Sequence, residues 1–215
     1  MNIVLIAPPA AGKGSQAKKI SKEYKIPHIS TGDLLRNIED ENILNELKSG
    51  KFVSDELITN LLKERLSQND CENGYVLDGY PRNLKQAKLY EELLEELNKQ
   101  MGIVIFINIE KDEAIKRMIG RRTCPNCGSV FNELIETISP KQKGICDNCG
   151  SNLVQRQDDN EETFNKRFEH YEKVTKPLIK YYEEKGNIHY VNSGLTPEKT
   201  FESIKKIIGG AYDKH

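Results

Sequence analysis

The chain has 215 residues, of which 37% are hydrophobic, 30% charged and 7% aromatic, with no Trp, and its mean hydropathy is −0.64. Lys and Arg total 32 against 33 Asp and Glu, a net charge of −1 that gives no general electrostatic grip on nucleic acid or an anionic membrane. The apolar runs fall far short of the roughly 20 residues that span a bilayer, and no charged start with an apolar stretch resembles a signal peptide, so a cytoplasmic protein with one full core and room for appendages is expected.

In chain order, residues 1–6 are a β-branched apolar run closed by Ala7-Pro8-Pro9, which predicts a buried strand entering a tight turn. A helix is expected from about 12 to 24. Residues 31–53 are polar with helical spacing and carry Gly50 near their end, so they predict an inserted helical piece. Further apolar runs at 75–77, 103–109 and 188–191 are each followed by a helical or charged pattern. Strands alternating with helices predict an α/β fold, a parallel sheet flanked by helices.

Residues 123–155 break that alternation, with Pro125, Pro140, scattered Gly and no long apolar period. They also hold Cys124, Cys127, Cys146 and Cys149 in a C-x2-C-x18-C-x2-C pattern. In a reducing compartment this spacing predicts a closed tetrahedral four-thiolate site of the structural kind, a metal standing in for the core the segment lacks. Zinc is the expected ion, although spacing alone does not separate it from iron. Cys71 has no partner in the sequence and reads as an unreactive thiol.

After the first strand comes Ala7-Pro8-Pro9-Ala10-Ala11-Gly12-Lys13-Gly14-Ser15, leading directly into the predicted helix. This is the Walker A layout with Ala7 for its first Gly and Gly14 between the Lys and the hydroxyl. The pattern works because backbone N–H groups at a helix start cradle phosphate oxygens while the Lys reaches the β/γ-phosphates.

The Gly-Lys-Gly loop, Ser30-Thr31-Gly32-Asp33-Leu34-Leu35-Arg36, Leu77-Asp78-Gly79-Tyr80-Pro81-Arg82, Arg117-Met118-Ile119-Gly120-Arg121-Arg122 and Arg156-Gln157-Asp158-Asp159-Asn160-Glu161-Glu162-Thr163 follow one another in family order. Together they closely resemble adenylate kinases of the long bacterial form, whose lid carries zinc. The resemblance implies a P-loop NTPase-like core over residues 1–29, 54–119 and 158–215, a small helical AMP-binding insert at 30–53 and a zinc-bound lid at 120–157. It also implies Mg2+-dependent exchange of a phosphoryl group between ATP and AMP, giving two ADP, by a cytoplasmic monomer with no nucleic-acid or membrane partner.

Matched position by position, the resemblance gives donor binding to Ala10, Ala11, Gly12, Lys13, Gly14 and Ser15, to Arg117 against the adenine, to Arg121 at the phosphates and to Val130 and Phe131 in the lid. On the acceptor side it gives Thr31, Arg36, Lys51, Phe52, Val53, Gly79, Tyr80, Pro81, Arg82 and Gln86, with Arg156 and Arg167 spanning both phosphate sites. Lys13, Arg82, Arg121, Arg156 and Arg167 would be catalytic, and Asp78 would position magnesium through water. Arg suits this work because its planar fork grips phosphate oxygens bidentately. Closing the two inserts over the core would exclude water, and Asp158 and Asp159 are candidates to anchor the lid's arginines. The four histidines, at 28, 170, 189 and 215, receive no role.

Three features depart from the family pattern. Ala7 and Ala10 stand where Gly is usual, and an Ala held at positive φ costs about 1 kcal/mol. Asn83 and Tyr80 replace a usual Thr and Phe. The acceptor insert is several residues short, which bears on base selectivity. Competing readings are a UMP or CMP kinase of the same fold, a zinc-ribbon nucleic-acid-binding protein that uses ATP as a regulator, and a nucleotide sensor without transfer activity.

Overall fold

The computed structural model describes residues 1–36, 38, 54–194 and 196–212, with the side chain of Arg36 outside the description. Strand β1 (Asn2–Ile6) leads into helix α1 (Lys13–Tyr24), followed by β2 (His28–Ser30) and the short α2 (Thr31–Arg36). Then come α3 (Asp55–Leu66), β3 (Tyr75–Asp78), α4 (Leu84–Glu96), β4 (Ile103–Asn108) and α5 (Lys111–Ile119). A small antiparallel pair, β5 (Arg121–Thr123) and β6 (Val130–Asn132), precedes α6 (Glu161–His170), α7 (Pro177–Glu184), β7 (Ile188–Asn192) and α8 (Pro197–Tyr212).

Five strands form one sheet in the order β2-β3-β1-β4-β7, and every pairing is parallel. Because side chains alternate along a strand, β1 feeds two cores. Val4 and Ile6 pack with Leu62, Leu66, Tyr90, Leu94, Leu178 and Tyr182 from α3, α4 and α7. Ile3 and Leu5 pack with Ala17, Ile20, Met118, Phe164, Ile204 and Ile208 from α1, α5, α6 and α8. The doubly covered sheet agrees with the α/β expectation, and β1 lies between β3 and β4, so the crevice beyond its carboxyl end is the topological switch point where such sheets bind ligands.

Two elements were not expected. β2 is only three residues long and pairs with β3 alone. A π-helical turn at Tyr171–Thr175 joins α6 to α7; there the Lys176 N–H donates to the Tyr171 carbonyl at 2.8 Å, just before Pro177, which has no N–H to offer. Of the expected insert at 30–53, the structure describes α2 at its start, and Lys51, Phe52 and Val53 lie outside the described residues.

The cysteine-bearing segment is built as two copies of one knuckle, Cys124-Pro125-Asn126-Cys127-Gly128-Ser129 and Cys146-Asp147-Asn148-Cys149-Gly150-Ser151. In each, the first Cys donates its N–H to the Ser carbonyl, at 2.8 and 2.9 Å, and the Gly N–H returns to the first Cys carbonyl, at 3.0 and 2.9 Å. Among the described residues from 120 to 157, the only buried apolar side chains are Pro140 and the thiol-bearing Cys124 and Cys146. The segment therefore has thiols where a domain of this size would have a hydrophobic core.

Candidate active site

The phosphate loop turns at Ala10 (φ 62) and Gly12 (φ 84). α1 starts at Lys13 with no side-chain hydrogen bond capping its first amides and no acidic residue in its first turn. Its N–H groups and positive dipole end are thus left for an anion. The expected positive φ is found at Ala10 and not at Ala7, which is absent from the left-handed residues and packs against the core as an ordinary strand exit.

Lys13 reaches across to Asp78 at the end of β3, Nζ to Oδ1 3.1 Å. The other carboxylate oxygen meets Nε2 of His28 at 3.2 Å. Burial opposes the charge on Asp78, but the Lys13 ammonium and the His28 hydrogen bond outweigh it and hold the carboxyl well below its usual range. Asp78 is therefore a fixed anion. A half-buried, ionised oxygen donor of this kind suits a hydrated magnesium ion accompanying a nucleotide. His28, which the sequence left without a role, is brought here because β2 lies beside β3, with Ser30 in register with Asp78.

Gly79 follows with φ 88, and a Cβ there would lie 2.8 Å from Thr31 Oγ1, so only Gly fits. Its carbonyl accepts from Thr31 Oγ1 at 2.9 Å and from Arg82 Nε at 2.8 Å. The Arg82 side chain reaches solvent, yet the protein around it lowers its proton affinity; Asp78 opposes that shift and the positive Arg167 adds to it. An anionic phosphoryl group bound here would offset that repulsion. The Arg82 N–H donates to Gln86 Oε1 at 2.7 Å. Tyr80 is buried, its ring edge-on to Tyr90 and its hydroxyl 2.7 Å from that of Thr59, so its side chain serves the core.

On the other side, Arg117 is held by Glu113 (Nε to Oε1, 3.1 Å) and by Ser193, whose hydroxyl and carbonyl accept at 3.3 and 2.5 Å. Arg121 sits at the foot of the lid in a two-pronged pair with Asp159, one arm being Nε to Oδ2 at 2.9 Å. Arg167 pairs with Asp158 at 2.9 Å. Arg156 and Val130 are exposed and Phe131 is half-buried. The structure thus gathers Lys13, Asp78, Arg82 and Arg167, with Thr31, Gly79 and Gln86 attached to them; Arg117 and Arg121 are held separately at the two ends of α5 and β5.

The four lid cysteines bring their Sγ atoms within 4.8 Å of one another, with Cys124 to Cys149 at 3.4 Å and Cys127 to Cys146 at 3.5 Å. A tetrahedron of thiolates at the usual Zn–S distance has edges of about 3.8 Å, so the set fits a structural zinc. Lys18 of α1 donates to the Gly128 carbonyl in the first knuckle at 3.4 Å, a direct contact between lid and core.

A parallel α/β sheet with an anion-ready loop after its central strand, a half-buried carboxylate beside the loop lysine and an arginine just beyond the neighbouring strand define a P-loop phosphotransferase. Comparison with known proteins makes this specific. The model of the adenylate kinase family matches residues 5–187. Adenylate kinase from Caldanaerobacter subterraneus subsp. tengcongensis is 45% identical over 216 residues, covering 98% of this chain and 97% of that protein. The Clostridium perfringens strain SM101 enzyme is 45% identical over 215 residues, covering 97% and 99%, and that of Geobacillus sp. strain WCH70 43% over 216, covering 98% and 99%. The chain belongs to the adenylate kinase family. It is a nucleoside monophosphate kinase, and the family's substrates are ATP, AMP and ADP. Its nucleotide chemistry uses Mg2+, and its lid is built for zinc. The nucleic-acid-binding and non-catalytic readings are not favoured.

Proposed function

We propose that this chain catalyses ATP + AMP to and from two ADP, balancing the adenine nucleotides. The observation that carries the reading is the junction of Lys13, Asp78 and Arg82 beside the uncapped start of α1. In this reading residues 1–29, 54–119 and 158–215 are the core, 30–53 the acceptor insert and 120–157 the lid. The amides of Ala10 to Ser15 and Lys13 hold the donor's β- and γ-phosphates, Arg117 lies against its adenine, and Val130 and Phe131 close over it. Thr31, Arg36, residues 51–53 and 79–81, Arg82 and Gln86 hold AMP.

An AMP phosphate oxygen attacks the γ-phosphorus; the new P–O bond forms as the bond to the β,γ-bridging oxygen breaks, and its electrons remain on ADP. That nucleophile is already an anion at neutral pH, so no side-chain base is required. Charge spreads over the equatorial oxygens, and Lys13, Arg82, Arg121, Arg156 and Arg167 stabilise it by position. Asp78 would hold a hydrated magnesium ion, which when bound would neutralise part of the phosphate charge. Arg121 and Arg167 rest on Asp159 and Asp158 and are available to turn to phosphate as the lid closes.

The chain is read as a monomer, and four thiols placed to share a metal suit the reducing cytoplasm. The net charge of −1 supports the absence of a nucleic-acid partner. The test is ADP formation from ATP with AMP, UMP or CMP as acceptor, in the native enzyme and in Arg82→Ala. AMP is the expected acceptor, and Arg82→Ala retains its melting curve while losing on the order of 10³-fold in turnover. Near-normal turnover in that variant, or preference for a pyrimidine nucleotide, overturns the reading.

A further inference from the structure

The acceptor side contains a hydrogen-bond arrangement that fixes which way round one amide faces. Gln86 is 4% exposed. Its Nε2 donates to Asp55 Oδ1 at 2.7 Å, and its Oε1 accepts from the Arg82 N–H at 2.7 Å. The two partners have single, opposite capabilities: an ionised carboxylate only accepts, and a backbone N–H only donates. Turning the amide over would set its oxygen against the carboxylate and its NH2 against the N–H. Asn83 Nδ2 also donates to the same Asp55 oxygen, at 3.3 Å, and Asn83 caps the start of α4 through the Gln86 N–H. Lys85 Nζ lies 4.0 Å from the other oxygen of Asp55 and 2.5 Å from Glu56 Oε1.

Among the described residues, each end of the amide has one partner. Nε2 keeps a second hydrogen and Oε1 a second lone pair, and the order of donor and acceptor is set by the two partners. That order is the complement of one purine edge: an exocyclic amino donor next to a ring-nitrogen acceptor, as in adenine. A 6-oxo purine places a carbonyl oxygen where adenine has its amino group, so it would face the fixed Oε1 oxygen to oxygen.

We propose that Asp55 is a specificity-determining residue: by fixing the flip of the Gln86 amide, it makes the acceptor site select 6-aminopurine over 6-oxopurine monophosphates. The inference rests on the reading of Gln86 as part of the acceptor site. Asp55 acts through Gln86 and touches no reacting atom, so it is a positioning residue. Without it, the Arg82 N–H alone holds the amide, which then samples other rotations, and the adenine-selective order is diluted.

The experiment compares kcat/KM for AMP and for inosine monophosphate, its 6-oxo analogue, in the native enzyme and in Asp55→Ala, Asp55→Ser, Asp55→Asn and Gln86→Leu, with the KM for ATP as internal control. Asp55→Ser keeps a residue suited to the first turn of α3 but cannot reach Gln86, and so stands in if the Ala variant folds poorly. The expected result is a fall of about tenfold in the AMP-to-inosine-monophosphate ratio for Ala and Ser, carried by the KM for the acceptor, with ATP KM unchanged. Asp55→Asn, which retains an accepting oxygen, keeps most of the discrimination. A ratio unchanged in Ala and Ser while Gln86→Leu collapses it overturns the role of Asp55 alone. A ratio unchanged in Gln86→Leu overturns the acceptor-site reading of Gln86, and the inference with it.

Discussion

Asp159, with its side chain fully buried, grips Arg121 with both carboxylate oxygens where the lid strand β5 meets the core. The pair ties the foot of the lid to the turn before α6, and it presets the guanidinium proposed to meet the donor's phosphates. Replacing Asp159 by Ala leaves Arg121 without this partner. Arg121 keeps a fifth of its side-chain exposure, so the cost falls below that of a fully buried broken pair, at roughly 2 kcal/mol. The expected outcome is a lower melting temperature together with a raised KM for ATP and an unchanged KM for AMP. A variant with native melting and native ATP KM contradicts the presetting role.

The phosphate loop separates its two alanines. Ala10 sits at φ 62 and Ala7 does not. Ala10→Gly relieves about 1 kcal/mol of left-handed strain while giving the unfolded chain more freedom, so stability stays within about 0.5 kcal/mol of the native protein. Ala7→Gly has only the entropic penalty and destabilises by about 0.5–1 kcal/mol. A stiff, strained turn also presents the loop amides differently from a Gly turn, so Ala10→Gly is expected to shift the KM for ATP more than turnover. Unchanged KM and turnover would show that the strain is not felt by the donor.

Removing the metal tests what the cysteines do. Because Cys124 and Cys146 make up most of what little the lid buries, with Pro140 beside them, chelation leaves it with almost no core of its own. The metal-free protein is expected to melt at lower temperature and to be cut by protease between residues 120 and 157. Amide protection in β1 and α1 should survive, since their packing is independent of the knuckles. A stripped protein that melts no lower, with the lid still protease-resistant, argues against a structural metal.

Cys71 gives a pH dependence of definite sign. Burial pushes its thiol up to about 11, with Arg65 opposing. The neutral form is the one the fold accommodates, so this contribution is complete below the unfolded thiol value of about 8.5 and is lost as pH rises through the folded one. Alkylation near pH 8 in the zinc-loaded protein is expected to spare Cys71, and unfolding should expose it to labelling. Comparing the melting temperatures of the native protein and Cys71→Ala up to about pH 11 should show the native protein losing its advantage at the alkaline end. Rapid labelling of Cys71 in the folded state would contradict the burial argument.

Much of this was legible in the chain because it is local. The strand, turn and helix around Lys13, the apolar runs of β3, β4 and β7 and the paired knuckles each depend on neighbours a few residues away, and the structure places all of them where periodicity put them. β2 was not legible: a three-residue strand with a polar end has no room for a period, and only its pairing with β3 defines it. The same pairing brings His28 to Asp78, so a histidine without apparent purpose becomes part of the site.

The sequence by itself determined the fold class, the phosphate loop, the metal-binding spacing and the identity of the charged residues, since these follow from residue type and short-range order. Only the tertiary structure decided which charges meet. Lys13 on Asp78, Arg121 on Asp159 and Gln86 on Asp55 join residues far apart in the chain. Their pairing depends on strand order and helix placement, and hydrogen-bond geometry has no counterpart in a linear pattern. The near-zero net charge illustrates the difference: an average over 215 residues cannot show that cations were gathered at one crevice and that specific buried carboxylates were set against them.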